Sequence, residues 1–143
     1  MKTALMLLLW CAASVPGQSS AGAFTATGAM TIARSWHTAT LLNNGQVLIA
    51  GGVTNSSFSA TASAELYDPT RGTFSPTGNM TAPRAAHSAI LLPDGRVLIA
   101  GGSSSLGENV PWLTTAEIYD PSTGTFTATS DMTRGNWCAQ AYC

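Results

Sequence analysis

The fold is decided by two stretches that nearly repeat each other, HTATLLNNGQVLIAGG at His37–Gly52 and HSAILLPDGRVLIAGG at His87–Gly102. They are identical at 11 of 16 positions and lie 50 residues apart. A second pair follows them at an offset of 52, AELYDPTRGTF at Ala64–Phe74 and AEIYDPSTGTF at Ala116–Phe126. Self-similarity at a period of about 50 residues is typical of repeat architectures, in which each unit packs on its neighbours.

Each unit contains four short strand-like segments. Asn44-Gly45 and Asp94-Gly95 separate the first two and favour a type I′ hairpin turn. The run Val47–Ile49 is continuously apolar, as strands buried on both faces are. Glycine pairs at Gly51-Gly52 and Gly101-Gly102 close the second strand. The sequence therefore predicts an all-β protein with two four-stranded antiparallel sheets, which must stack to bury their faces.

The recurring pattern M-x-x-x-R-x-x-H, then L-L-x-x-G-x-V-L-I-A-G-G, then A-E-x-Y-D-P-x-x-G-T-F resembles kelch repeats of the bacterial, galactose-oxidase-like kind. The resemblance implies that each unit is one blade of a β-propeller, so that this chain forms a partial propeller of two blades. It also implies that the recurring residues are structural signature positions, namely Arg34, His37, Gly51, Gly52, Tyr67, Phe74, Arg84, His87, Gly101, Gly102, Tyr119 and Phe126.

The chain divides into five segments. Residues 1–23 resemble a secretory signal peptide, because Lys2 precedes the apolar run 4–13 and Ala21-Gly22-Ala23 offers a cleavage site; a buried N-terminal strand or helix is the alternative. We therefore expect a secreted or periplasmic protein. The others are the last strand of a preceding blade plus a linker (24–36), repeat 1 (37–80), repeat 2 (81–132) and a degenerate tail (133–143). Because propellers need about four to eight blades, we expect a truncated member of a longer family, or a piece that self-associates to complete a propeller.

Composition excludes two classes of partner. Six basic residues against seven acidic ones give a net charge of −1, and no basic patch suits nucleic acid. The apolar run near the N-terminus is shorter than the roughly 20 residues of a membrane span, so we expect no span in the mature chain. An unknown protein or a glycan is the expected partner.

The two repeats differ most after the glycine pair, where a longer loop spans Ser103–Thr115. Function in repeat proteins concentrates in such variable loops. Trp112 is the predicted ligand contact, together with Glu108 and Asn109; the alternative is that Trp112 packs over its own blade. Trp36 is expected to fill space beside a blade.

Catalysis is not expected. The sequence contains no Ser-His-Asp set, HExxH motif, CxxC pair or glycine-rich phosphate loop. His37 and His87 could share a metal, but recurrence in both units favours a structural hydrogen bond. The galactose oxidase resemblance implies copper held by tyrosines and histidines, yet Tyr67 and Tyr119 are explained by the repeat. We predict no cofactor and no metal.

The predicted function is an exported, non-catalytic kelch-repeat protein or fragment that serves as a binding or structural scaffold. The alternatives are a truncated remnant of a galactose-oxidase-like secreted enzyme and a lectin-like carbohydrate-binding module. In the tail, Cys138 and Cys143 could pair in an oxidising compartment or remain free or intermolecular thiols.

Overall fold

Eight short strands form two sheets of four in the computed structural model, which describes residues 24–54, 58–107 and 110–134. The first sheet, blade 1, contains β1 (Thr38–Leu41), β2 (Val47–Ala50), β3 (Ala64–Asp68) and β4 (Thr73–Pro76). The second sheet, blade 2, contains β5 (Ser88–Leu91), β6 (Val97–Ala100), β7 (Ala116–Asp120) and β8 (Thr125–Ala128). Each sheet is an antiparallel meander in chain order. The all-β prediction with two four-stranded sheets is confirmed.

Several predicted features lie outside the described residues: the signal peptide at 1–23, Glu108, Asn109, Cys138 and Cys143. Among the described residues, no helix is long and apolar enough to cross a membrane.

The two sheets have the same strand register. Val47 pairs with Tyr67 in blade 1 as Val97 pairs with Tyr119 in blade 2. The sequence repeat is therefore a repeat of backbone geometry, and a residue in one blade has a structural equivalent in the other.

The hairpin turns differ from the predicted type I′ turn. That turn needs positive φ at both central residues, but only Gly45 has it, at 83°. The loop is three residues long, because the N–H of Leu42 donates to Gln46 O at 2.8 Å and that of Gly45 donates to Leu42 O at 3.0 Å. Asn44 keeps negative φ and accepts a bond from the Gln46 N–H at 3.0 Å, which favours this longer loop.

Residues 24–30, predicted as the last strand of a preceding blade, form no strand, since no described strand lies beside them to pair with. They run instead along the outer edge of blade 1, where the Thr27 hydroxyl bonds to that of Tyr67 at 2.8 Å and the Gly28 N–H donates to Gly72 O at 2.7 Å. Residues 77 and 78 make the same two contacts with blade 2. Each blade is thus met at its outer edge by the segment that precedes it.

The hydrophobic core lies between the stacked sheets, and β1 lies beside β5. Blade 1 contributes the face that carries Leu48 and Ala50. Blade 2 contributes its opposite face, which carries Val97 and Ile99. The buried members of this core are Leu42, Leu48, Ala50, Ala64, Met80, Val97, Ile99 and Tyr119. The sheets therefore stabilise each other by burying one face apiece.

Candidate functional site

A buried arginine–glutamate pair stands at the same place in each blade. In blade 2, Arg84 Nη2 lies 2.8 Å from Glu117 Oε1, and both side chains are fully buried. Arg84 Nη1 also donates to Gly101 O at 2.7 Å and to Thr115 O at 3.1 Å. Arg84 thus ties the segment before β5 to the ends of β6 and β7.

Blade 1 repeats this arrangement. Arg34 Nη2 lies 2.7 Å from Glu65 Oε1, and Arg34 Nη1 donates to Gly51 O and Ser63 O at 2.9 Å each. Burial opposes the charge of Glu65, but hydrogen bonds from Thr31 and Arg34 outweigh it and hold the pKa of Glu65 below its usual value. These donors and acceptors bond to one another, so the pairs are occupied in holding the blade.

The glutamates also anchor the segments that lead into each blade. The Thr31 N–H donates to Glu65 Oε2 at 2.8 Å, and the Thr81 N–H donates to Glu117 Oε2 at 2.7 Å. Both oxygens of each carboxylate therefore take part in contacts that hold the blade.

The two histidines occupy equivalent positions but different surroundings. His87 is buried between the blades, and its Nε2 lies 2.9 Å from the Thr38 hydroxyl. Burial, then the positive charges of Arg84 and His37, lower the pKa of His87 from 6.5 to about 4. Burial and Arg34 also lower the pKa of His37. Both rings are therefore neutral at pH 7.

The glycine pairs allow backbone segments to approach closely. Gly51, Gly52, Gly101 and Gly102 all have positive φ. A Cβ at Gly52 would lie 2.5 Å from Ser35 O, which real side chains do not tolerate. The glycine pair of each repeat is thus explained by the packing of the strand end against the segment before the first strand.

The signature aromatics pack in pairs at the outer edge of each blade. Tyr67 and Phe74 have ring centroids 4.7 Å apart, as do Tyr119 and Phe126. The two tyrosine hydroxyls bond to Thr27 and Thr77. Both tyrosines therefore hold the incoming segment.

An apolar groove lies at the end of the sheets where β1 and β5 begin. It has a volume of about 400 Å³ and is lined by Trp36, from the linker before β1, and by Ala86, Leu106, Val110 and Trp112 from repeat 2. Trp36 is 53% exposed and Trp112 is 41% exposed. Two partly exposed indole rings, one from the linker before β1 and one from the loop after β6, therefore line one groove.

The backbone at this groove adopts an unusual conformation. Trp36 has φ 57° and its equivalent Ala86 has φ 53°, in the left-handed region that bulky residues rarely adopt. The Ala86 N–H donates to Trp36 O at 3.0 Å, which ties the two segments together. Because the same conformation recurs at the equivalent positions of both repeats, it belongs to the architecture of the segment before the first strand.

A second cavity, of about 500 Å³, lies at the opposite end of the sheets, between the hairpin turns. Its lining combines the apolar residues Leu42 and Pro121 with polar side chains that include Asn44, Asp94, Arg96 and Asp120. Arg96 Nη2 lies 2.7 Å from Asp94 Oδ2, and both side chains are about half exposed. This cavity carries one solvent-exposed ion pair, which is ordinary for a protein surface.

No group of three or more His, Cys, Asp or Glu side chains comes together among the residues that the structure describes. His37 and His87 are not part of such a group there.

Comparison with known proteins bears on the repeat. Residues 84–133 match the kelch motif. The chain carries the kelch motif. A fungal alcohol oxidase of the AA5 family, solved in complex with copper, has a similar structure with a TM-score of 0.62 and 21% sequence identity. The match covers 71% of this chain and 23% of that one. At this identity the likeness concerns the fold alone. No curated protein matches the chain.

Within the kelch framework, the tryptophan groove stands out as the part that the repeat does not explain. The sequence predicted Trp112 as a contact and assigned Trp36 to space filling, whereas the structure places both at one groove. The available signal was that Ala86 replaces Trp36 in the second kelch unit. A tryptophan present in only one repeat is a candidate for function, because architecture requires it in both or in neither.

Proposed function

We propose that this chain is a non-catalytic kelch-repeat scaffold that binds a partner through the Trp36–Trp112 groove. The observation that carries the proposal is the position of two half-exposed tryptophans, one from the linker before β1 and one from repeat 2, in one apolar groove. Ligand sites are concave and mostly apolar, and tryptophan is enriched at binding hot spots.

The hydrogen bonds of the recurring polar residues support a scaffold role. The Arg–Glu pairs, the buried histidine and the tyrosine hydroxyls are engaged in bonds that hold the blades. None of them is left facing the groove as an acid, base or nucleophile, so the groove is suited to binding and not to bond making.

A carbohydrate is the ligand class to test first, which is the lectin-like form of this proposal. The apolar face of a sugar ring stacks on the flat indole of tryptophan, whose body is apolar. A protein partner is the alternative within the same scaffold function. A remnant of a copper oxidase is the alternative outside it, and copper content together with oxidation of simple sugars would distinguish it.

The experiment is a glycan array probed with the labelled chain and with Trp36→Ala and Trp112→Ala. We expect binding that falls at least about tenfold in each variant, a loss of roughly 1.4 kcal/mol. Phe24→Ala is the matched control, since Phe24 is a fully exposed aromatic outside the groove. Full retention of glycan binding in both tryptophan variants would reject the groove, and an array without any binder would reject a carbohydrate ligand.

We also propose that the chain is exported, as residues 1–23 indicate. Expression with these residues should release a product whose N-terminus is at or near Phe24, measured by intact mass. A product retained in the cytoplasm with Met1 or Lys2 at its start would contradict export.

A further inference from the structure

The walls of the Trp36–Trp112 groove rest on a junction between the two blades. The junction consists of Trp36 and Thr38 on the blade 1 side and of Ala86 and His87 on the blade 2 side. The Ala86 N–H donates to Trp36 O at 3.0 Å, and the Thr38 hydroxyl lies 2.9 Å from His87 Nε2. Because Trp36 and Ala86 also line the groove, its shape depends on hydrogen bonds that join the blades.

His87 is the member of this junction that can change its charge. It is 3% exposed and packs on the end of β2 in blade 1, where a Cβ at Gly51 would lie 2.9 Å from His87 Cε1. Its Nε2 bonds with the Thr38 hydroxyl, whereas its Nδ1 is buried and has no hydrogen-bond partner among the residues that the structure describes. The ring therefore fits this place as a neutral imidazole, in which only one nitrogen carries a hydrogen.

A proton on Nδ1 of His87 is not compatible with the closed junction. Both nitrogens of an imidazolium ring are donors, so Nδ1 would present a buried, positively charged N–H with no described acceptor beside it. A buried charge without a partner is strongly unfavourable. Protonation therefore favours a conformation in which the ring reaches water.

The charged groups around His87 act in the same direction. Arg84, from the segment before β5, and His37, from the segment before β1, both oppose a positive charge on the ring. The groups of β1 and β2 that touch the ring, the Thr38 hydroxyl and the Gly51 backbone, carry no charge. Burial, followed by these two positive charges, lowers the pKa of His87 to about 4, and no carboxylate among the described residues offsets them.

We propose that acid opens this junction, so that the groove has its binding shape at neutral pH and loses it when His87 takes up a proton. The charged ring leaves its place on blade 1, the bond to Thr38 is lost, and the walls that carry Trp36 and Ala86 move apart. Release of a ligand in acid rests on the proposed function of the groove, whereas the opening itself requires no ligand.

The size of the effect follows from the two protonation equilibria. The pKa of His87 is about 4 in the closed junction and returns to 6.5 when the ring is exposed, so the open form binds more protons between these values. Opening therefore becomes more favourable as the pH falls through 6.5 towards 4. The equilibrium constant for opening should rise about 30-fold between pH 7.5 and pH 5.

The test is native-state hydrogen exchange of the full chain, read at the Ala86 amide, whose N–H spans the junction. Leu48, in the middle of blade 1, serves as the reference for global unfolding. A local opening exposes little surface, so Ala86 should exchange with less protection than Leu48 and with a weaker dependence on low concentrations of urea. The protection factor of Ala86 should fall about 30-fold from pH 7.5 to pH 5.

Three variants assign the effect to the junction. His87→Gln should remove the pH dependence of Ala86 protection, because glutamine does not titrate. His37→Gln is the matched control, since it changes the same residue type at the equivalent position of blade 1, and it should retain most of the fall. Thr38→Val removes the hydroxyl and keeps the shape of the side chain, so it should lower Ala86 protection already at pH 7.5.

A protection factor of Ala86 that is the same at both pH values in the wild type would overturn the proposal. Equal protection and equal urea dependence at Ala86 and Leu48 would overturn it as well, since the junction would then open only with the whole fold. A pH dependence that persists in His87→Gln would assign it to another group; if this variant does not fold, the wild-type profile and Thr38→Val still decide. A glycan array without any binder would reject the carbohydrate ligand and would leave these outcomes unchanged.

Discussion

Charge burial is the most demanding feature at the scale of single residues. Arg84 and Glu117 are fully buried and satisfy each other, together with carbonyl oxygens of the strand ends. A buried pair of this kind contributes little net stability against an apolar replacement, but removing one partner leaves an uncompensated buried charge. The pair therefore specifies the geometry of the blade, and we expect the loss of one partner to lower the stability of the fold strongly.

Glu117→Gln should lower the free energy of unfolding by about 3–5 kcal/mol, measured by urea denaturation. Glu65→Gln should behave similarly in blade 1, because Arg34 is equally buried. Asp94→Asn breaks the exposed pair with Arg96 and should leave the unfolding midpoint close to that of the wild type. Equal effects of the buried and exposed substitutions would contradict this assignment.

His87 predicts a pH dependence of stability. Its pKa is about 4 in the folded state and 6.5 when unfolded, so the unfolded state binds more protons between these values. Stability should therefore rise with pH from 4 to 6.5 and fall on acidification, by up to about 3 kcal/mol. His87→Gln should flatten this part of the profile. An unchanged slope in the variant would assign the pH dependence to other groups.

Strand positions could be predicted from the sequence at the scale of elements because apolar runs and punctuating glycines mark them. The expected strand His37–Leu42 is observed as Thr38–Leu41, and Gln46–Ala50 as Val47–Ala50. The turn type could not be predicted in this way. The Asn44 side chain accepts a hydrogen bond from the N–H of Gln46, a contact that the Asn-Gly turn preference does not take into account. Residues 24–30 form no strand among the described residues, because a strand also needs a neighbouring strand, which local sequence does not supply.

Two glycines allow two costs of a substitution to be measured separately, namely the strain of positive φ and the close approach of a Cβ to the backbone. Gly45 and Gly102 have similar φ of 83° and 80°, but a Cβ at Gly45 meets nothing within 4 Å, whereas one at Gly102 would lie 2.5 Å from Ala85 O. Gly45→Ala should cost about 1–2 kcal/mol from the left-handed backbone alone. Gly102→Ala should cost clearly more, measured in the same denaturation series. Equal costs would mean that the close approach relaxes freely.

The Trp36–Trp112 groove belongs to the scale of the whole molecule, which explains why sequence analysis singled out Trp112 and not Trp36. Trp112 is conspicuous in a variable loop, and Trp36 becomes relevant only when the two repeats are placed side by side. Periodicity identifies the residues that recur in both blades. It therefore explains the framework but gives no information on a groove built from non-equivalent residues.

Mutual stabilisation of the two blades is the central claim at this scale, since neither sheet buries both faces and the core lies between them. Hydrogen exchange in Glu117→Gln tests it most directly, because Glu117 lies in β7 of blade 2 and its side chain bonds to Arg84 and Thr81 in the segment that leads into that blade. The account predicts faster exchange at the amides of β2 and β3 in blade 1 as well as at those of β6 and β7. Faster exchange confined to blade 2, with blade 1 unchanged, would contradict it.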